Sequence, residues 1–206
     1  MAFIISLFVC YVIGSIPTSY IVAKYLKGID IRQHGSGNVG ATNTARVVGK
    51  GWGLLVLVFD ILKGLVCVTL AARFFFRFGV PVSMDVYPLM LGAMAIIGHI
   101  WSVFLGFNGG KGIATSSGVF IGVAPGVFLA ALCIWIAVFV WRRYVSLASI
   151  ISAVSIPIML SAEGYRAPFV AIASLLSIIT VLKHYPNIKR LVRGEEHRFE
   201  LRKNAD

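Results

Sequence analysis

Three stretches of this chain combine residue types that can hold a negatively charged ligand. Residues 35–46 read GSGNVGATNTAR. Gly35 and Gly37 let the backbone pass close to a ligand. Ser36, Asn38, Thr42 and Asn43 supply neutral hydrogen-bonding groups, and Arg46 is a planar cationic fork suited to phosphate or carboxylate. Residues 106–112 read GFNGGKG, where Gly109, Gly110 and Gly112 surround Lys111 just before an apolar run. A glycine-rich turn that opens a helix offers backbone N–H groups and the positive end of the helix dipole, so this is a phosphate site in physical terms. It is not a Walker A loop, because the glycine spacing differs and Gly112 stands where that motif needs a hydroxyl. Residues 184–190 read HYPNIKR, with His184 as imidazole, Asn187 as amide and Lys189 and Arg190 as cations. A glycine-rich membrane loop can be no more than a tight turn. Three anion-ready stretches in one chain point to a pocket for a phosphorylated ligand at a membrane surface.

The elements that must position these stretches are greasy. The chain has 206 residues, 58% of them hydrophobic and only 13% charged, against about 25% charged in soluble domains. Its mean hydropathy is +0.88. Apolar segments lie at 2–23, 52–78, 86–105, 113–141, 146–162 and 167–182, which predicts an all-α polytopic integral membrane helical bundle. No stretch reads as a second, soluble domain, so residues 1–206 are expected to form a single integral membrane domain with a basic tail over 184–206. The net charge of +11 does not indicate nucleic acid, since the basic residues punctuate the ends of apolar runs, as in loops that face anionic lipid. Cys10, Cys67 and Cys133 lie in apolar runs without CxxC spacing and read as small buried hydrophobes. The first segment has Lys24 and Lys27 after it and no basic residue before it, the reverse of a signal peptide, and reads as a retained span.

The fourth segment carries the breaker pair Ala124-Pro125-Gly126. Splitting it there makes seven transmembrane helices, places the N-terminus outside and the C-terminus in the cytoplasm, and puts nearly all Lys and Arg inside. The helix before Pro125 would then span only about 18 Å at 1.5 Å per residue. Seven spans put all three polar stretches on one face. Within the second span Asp60 and Lys63 are i, i+3 neighbours and read first as a mutually neutralised pair pointing inward, with a substrate contact as the alternative. His99, near the inner end of the third span, reads first as a packing histidine.

SGNVGATN with Arg46, then GFNGGKG, then HYPNIKRL followed by Gly194-Glu195, resembles the bacterial acyl-phosphate:glycerol-3-phosphate acyltransferase family, the PlsY type, along essentially the whole chain. The resemblance implies transfer of a fatty acyl group from acyl phosphate to the 1-hydroxyl of glycerol 3-phosphate, giving lysophosphatidic acid in the first committed step of phospholipid synthesis. It implies a bacterial inner-membrane location with the active site facing the cytoplasm. The implied partners are the two substrates, membrane lipid and the soluble enzyme that makes acyl phosphate. Carried over by position, the catalytic set is Ser36, Arg46, Lys111, His184 and Asn187. Gly37, Asn38, Thr42, Asn43, Gly109, Gly110, Gly112, Ser149 and Arg190 would contact substrate, and Glu195 would be structural. The chain departs from the family pattern at Asn108 and Tyr185, where the family often carries Lys and Arg.

The chemistry matches these residue types. Two anionic reactants repel, and cations with oriented N–H groups offset that repulsion; positioning supplies much of the rate. The developing oxyanion needs donors, for which Ser36, Asn187 and backbone N–H groups are candidates. The hydroxyl proton goes either to His184 or to an oxygen of the acyl phosphate itself, and a protonated His184 would instead bind anion. A covalent acyl-Ser36 is disfavoured, since no second acidic residue completes a triad. No cofactor and no metal are expected, as no His/Cys/Asp cluster has ligand spacing. None of the four histidines starts a His-x4-Asp motif, and Asp60 lacks the companion aspartates of a CDP-alcohol phosphotransferase. A small anion transporter would place its groups near the midplane with internal symmetry, and no repeat is visible.

Overall fold

The structure is a computed structural model that describes residues 1–199, and among these every regular element is helical. The chain forms two compact units, Met1–Ala124 and Pro125–Asp206.

The first unit opens with α1 (Ala2–Ser15) and α2 (Thr18–Lys27), one apolar stretch interrupted at Ile16-Pro17. Proline lacks the N–H that would continue the ladder, so the helix restarts after it. α3 (Ala41–Val47) is short and polar, and Lys27 Nζ donates to the Val47 carbonyl at its end, 2.6 Å away. α4 (Lys50–Val66) runs through a π-helical turn at Cys67–Ala71 into α5 (Ala72–Phe76). α6 (Tyr87–Ile100) and α7 (Ile113–Val123) complete the unit. α1 packs on α6, and α4 packs on α3 and α7. Small residues set these distances. A side chain at Gly98 would strike the Tyr11 carbonyl, and one at Gly118 the Ile61 carbonyl, so the helices touch backbone to backbone.

The second unit holds α8 (Pro125–Arg142), α9 (Val145–Ala162), α10 (Ala167–Lys183) and α11 (Tyr185–Val192). The expected break falls at Ala124, with Pro125 starting α8. α9 packs between α8 and α10, and α11 turns off α10 by 55° at His184 and rests on α9 and α10.

Among the described residues five helical stretches are long and apolar enough to cross a membrane: Ala2–Lys27, Lys50–Phe76, Tyr87–Leu105, Pro125–Arg142 and Val145–Ala162. The bent pair α10–α11 makes a sixth, and α7 is apolar but short. Large apolar side chains such as Ile4, Phe8, Leu54, Val58, Leu129 and Val140 are exposed, as suits a lipid-facing surface. Cys10 and Cys67 are buried as expected, whereas Cys133 is exposed on α8, where a small apolar residue can face lipid instead of core.

Candidate active site

The first polar stretch is held from inside. Asp30 starts a 3-10 turn at Ile31–Gln33, accepting from the Arg32 N–H at 3.0 Å and from the Arg32 guanidinium at 2.7 Å. The guanidinium hydrogen bond, against the effect of burial, holds the Asp30 carboxyl below the usual aspartate range. Gly35 and Gly37 follow with φ of 62° and 70°, left-handed values that L side chains rarely adopt. Asn43, buried in the first turn of α3, spans the loop. Its Oδ1 accepts the Ser36 N–H at 2.9 Å, and its Nδ2 donates to the His34 carbonyl at 3.0 Å. Thr44 Oγ1 shares a 2.7 Å hydrogen bond with Ser19 Oγ and donates to the Gly40 carbonyl. With its backbone pinned, Ser36 lies exposed, and so does Arg46 in the last turn of α3. Gly37, Asn38 and Thr42 are half-buried. Asn43, expected among the substrate contacts, is 1% exposed with its amide committed to the loop backbone, so it shapes the loop from inside.

The second stretch folds back on the end of α6. Gly106 and Phe107 take left-handed φ values of 60° and 63°, and Phe107 N–H returns to the Ser102 carbonyl at 2.8 Å. Gly109 N–H donates to Ile100 O at 3.1 Å and Gly110 N–H to His99 O at 3.0 Å. These two N–H groups, expected to meet a ligand, satisfy the final carbonyls of α6. The smallness of both residues is what matters: a side chain on Gly109 would strike the His99 carbonyl, and one on Gly110 the His99 ring and the Val39 carbonyl. Lys111 comes next, and α7 opens at Ile113 behind Gly112 (φ 83°). The lysine thus stands at the positive end of a helix dipole, where both favour an anion.

The two loops meet. Val39 from the first and Leu105, just before the second, share a buried cluster with Ala23 and Ile31, and Arg32 Nη1 reaches the Leu105 carbonyl at 3.4 Å. Beneath them lies a cavity about the size of one water molecule, lined by Val39, Gly109 and Gly110 together with Asp60, Lys63 and His99. Lys63 Nζ sits 2.6 Å from Asp60 Oδ1, so the i, i+3 pair forms as expected and is buried.

In the second unit the third stretch has its own organising group. His184 is buried, and its Nδ1 lies 2.8 Å from the Thr180 carbonyl. A carbonyl only accepts, so Nδ1 carries the hydrogen and Nε2 is the acceptor of the neutral ring. Asn187 Nδ2 donates to Glu196 Oε1 at 2.7 Å, Ser146 Oγ donates to the same oxygen at 2.8 Å, and Arg190 Nε donates to Oε2 at 2.7 Å. The structural carboxylate is therefore Glu196, not Glu195, which is exposed and bonded through its backbone N–H to the Arg190 carbonyl. Burial pushes the Glu196 carboxyl up, but the hydrogen bonds from Asn187, Ser146 and Arg190, with the Arg190 charge, outweigh it and hold the group below the usual glutamate range. Arg190 is thereby tied to the fold. Ser149 is buried on α9, its oxygen accepting the Trp135 indole N–H at 3.1 Å. Trp135 carries no sequence signal, because a tryptophan inside an apolar run reads as packing. Among the described residues no group of three His, Cys, Asp or Glu is placed to hold a metal ion.

This is an all-helical membrane protein with two interlocked glycine-rich loops that carry a serine and a lysine, and an arginine on the helix that follows the first loop. Residues 4–194 match the family model described as glycerol-3-phosphate acyltransferase, and the chain belongs to that family. A glycerol-3-phosphate acyltransferase of Desulforudis audaxviator is 47% identical over 98% of both chains, and one of Geobacter sulfurreducens is 42% identical over 93% of this chain and 95% of its own. The crystal structure of PlsY (YgiH), an integral membrane glycerol 3-phosphate acyltransferase in its glycerol 3-phosphate form, superposes with a TM-score of 0.88 at 39% identity, covering 97% of this chain and 96% of that one. A second structure of PlsY, in its lysophosphatidic acid form, gives a TM-score of 0.84 at 38% identity.

Proposed function

We propose that the chain transfers a fatty acyl group from acyl phosphate to the 1-hydroxyl of glycerol 3-phosphate, releasing lysophosphatidic acid and phosphate. One observation carries this reading: the likeness over nearly the whole chain to a protein solved with what are, in this reaction, the acceptor and the product. Arg46 and Lys111 neutralise the substrate phosphates, and Ser36, fixed by Asn43, donates to the developing oxyanion. His184 and Asn187 serve the same reaction, and Glu196, bonded to Asn187, Ser146 and Arg190, holds Asn187 in shape.

The bond from the acyl carbon to the glycerol oxygen forms as the carbon–phosphate oxygen bond breaks. The hydroxyl proton passes to His184 Nε2 or directly to the departing phosphate, which leaves as hydrogen phosphate. An acyl phosphate is already activated, so orientation and charge neutralisation supply most of the rate. In this reading the five long helical stretches, α7 and α10 make seven crossings, with the loops on the cytoplasmic face of a bacterial inner membrane, where a soluble enzyme delivers acyl phosphate.

The test offers the purified protein labelled glycerol 3-phosphate with palmitoyl phosphate or palmitoyl-CoA. Lysophosphatidic acid is expected from palmitoyl phosphate only. Product from palmitoyl-CoA alone would overturn the donor assignment, and product from neither would overturn the reaction.

A further inference from the structure

Asp60, Lys63 and His99 are buried together below the 106–112 loop, and no step of the reaction uses them. Lys63 Nζ lies 2.6 Å from both Asp60 Oδ1 and the Ile16 carbonyl at the break between α1 and α2. Thr18 Oγ1 donates to Asp60 Oδ1 at 3.1 Å, and His99 Nδ1 is 3.9 Å from the same oxygen. The His99 residue in turn touches the loop twice. Its carbonyl accepts the Gly110 N–H, and its ring edge lies against the Gly110 Cα, where a Cβ would have no room. Ser15 Oγ, fully buried and without a hydrogen-bond partner, lines the same cavity. Three buried ionisable groups are costly to desolvate, and apolar residues of equal volume often hold a core as well or better. What an apolar core cannot do is fix one arrangement of a glycine-rich loop that has few side chains of its own to pack.

We propose that Asp60, Lys63 and His99 form an internal brace that runs from the α1–α2 break through α4 and α6 to Gly110. The brace sets the posture of the 106–112 loop and thereby its affinity for the acceptor's phosphate. These are positioning residues and touch no reacting atom. The proposal rests on the reading that this loop takes glycerol 3-phosphate.

The experiment is steady-state kinetics of the full-length protein with glycerol 3-phosphate varied at saturating acyl phosphate. His99→Ala is expected to raise KM for glycerol 3-phosphate about tenfold, while kcat and KM for acyl phosphate change less than about threefold. His99→Asn, which returns a polar group near the Nδ1 position, should recover most of that loss. Asp60→Asn combined with His99→Ala should cost less than the sum of the two, because the residues act in one chain of contacts. If His99→Ala does not fold, His99→Asn and Thr18→Val are read by the same criterion, with about a twofold to fivefold rise in KM expected. An unchanged KM in all variants, or a kcat loss with KM intact, overturns the brace while leaving the reaction standing. A wild type with no turnover overturns both.

Discussion

Asn43 Oδ1 holds the Ser36 N–H at 2.9 Å from a position 1% exposed to solvent. The exposed hydroxyl is thus presented by a buried amide seven residues away, and the loop does not depend on substrate for its shape. Replacing Asn43 with Ala strands the Ser36 N–H and the His34 carbonyl, a loss of about 1–3 kcal/mol. Asn43→Ala is expected to lower both the thermal midpoint in detergent and kcat/KM. Asn43→Asp keeps the acceptor for Ser36 but faces a carboxylate toward the His34 carbonyl, and should be no better. A variant with unaltered kcat/KM would remove Asn43 from the site.

Glu196 and Glu195 separate cleanly by substitution. Glu196→Gln loses the Arg190 ion pair and should destabilise the protein by about 2 kcal/mol, whereas Glu195→Gln should lie within about 0.5 kcal/mol of wild type. Denaturant titration of the two purified variants checks this.

The same carboxylate predicts a pH dependence. Its folded-state pKa lies below the unfolded value of about 4.3, so the unfolded state binds the proton more readily. Its contribution to stability is full above the unfolded value and is lost as pH falls through the lower folded one. The midpoint measured from pH 6 to pH 3 should therefore drop less in Glu196→Gln than in wild type, most clearly below about pH 4.3.

His184 divides the two proton routes. Its Nδ1 is held by the Thr180 carbonyl at 2.8 Å, so His184→Gln keeps polarity but removes the basic Nε2. A loss of about 10²–10⁴-fold in kcat marks His184 as the base. Turnover within about tenfold of wild type assigns the proton to the departing phosphate, and a rise in KM alone assigns His184 to anion binding.

Much of the fold is legible in hydropathy, because a membrane demands long apolar helices and Pro125 breaks one where it stands. The break at Ile16-Pro17 is harder to see, since the residues on both sides are equally apolar and only the proline marks it. The site is legible as residue types and less so as roles. Asn43 and Ser36 carry the same hydrogen-bonding chemistry on paper, and only the helical turn of α3 decides that one faces inward. Spacing cannot choose between adjacent glutamates, and what selects Glu196 is the chain reversal at Gly194 (φ 73°) that carries it onto Ser146 and Asn187. The link from His99 to Gly110 joins residues whose sequence signals are a packing histidine and a turn glycine.

The claim that the two interlocked loops of the first unit take the acceptor's phosphate is tested most directly by equilibrium binding. Glycerol 3-phosphate would be titrated into purified wild type, Arg46→Ala and Lys111→Ala at one fixed salt concentration, without acyl donor. Each substitution removes a charge-assisted contact, so Kd should rise at least about tenfold in either variant. Wild-type affinity in both would contradict the account.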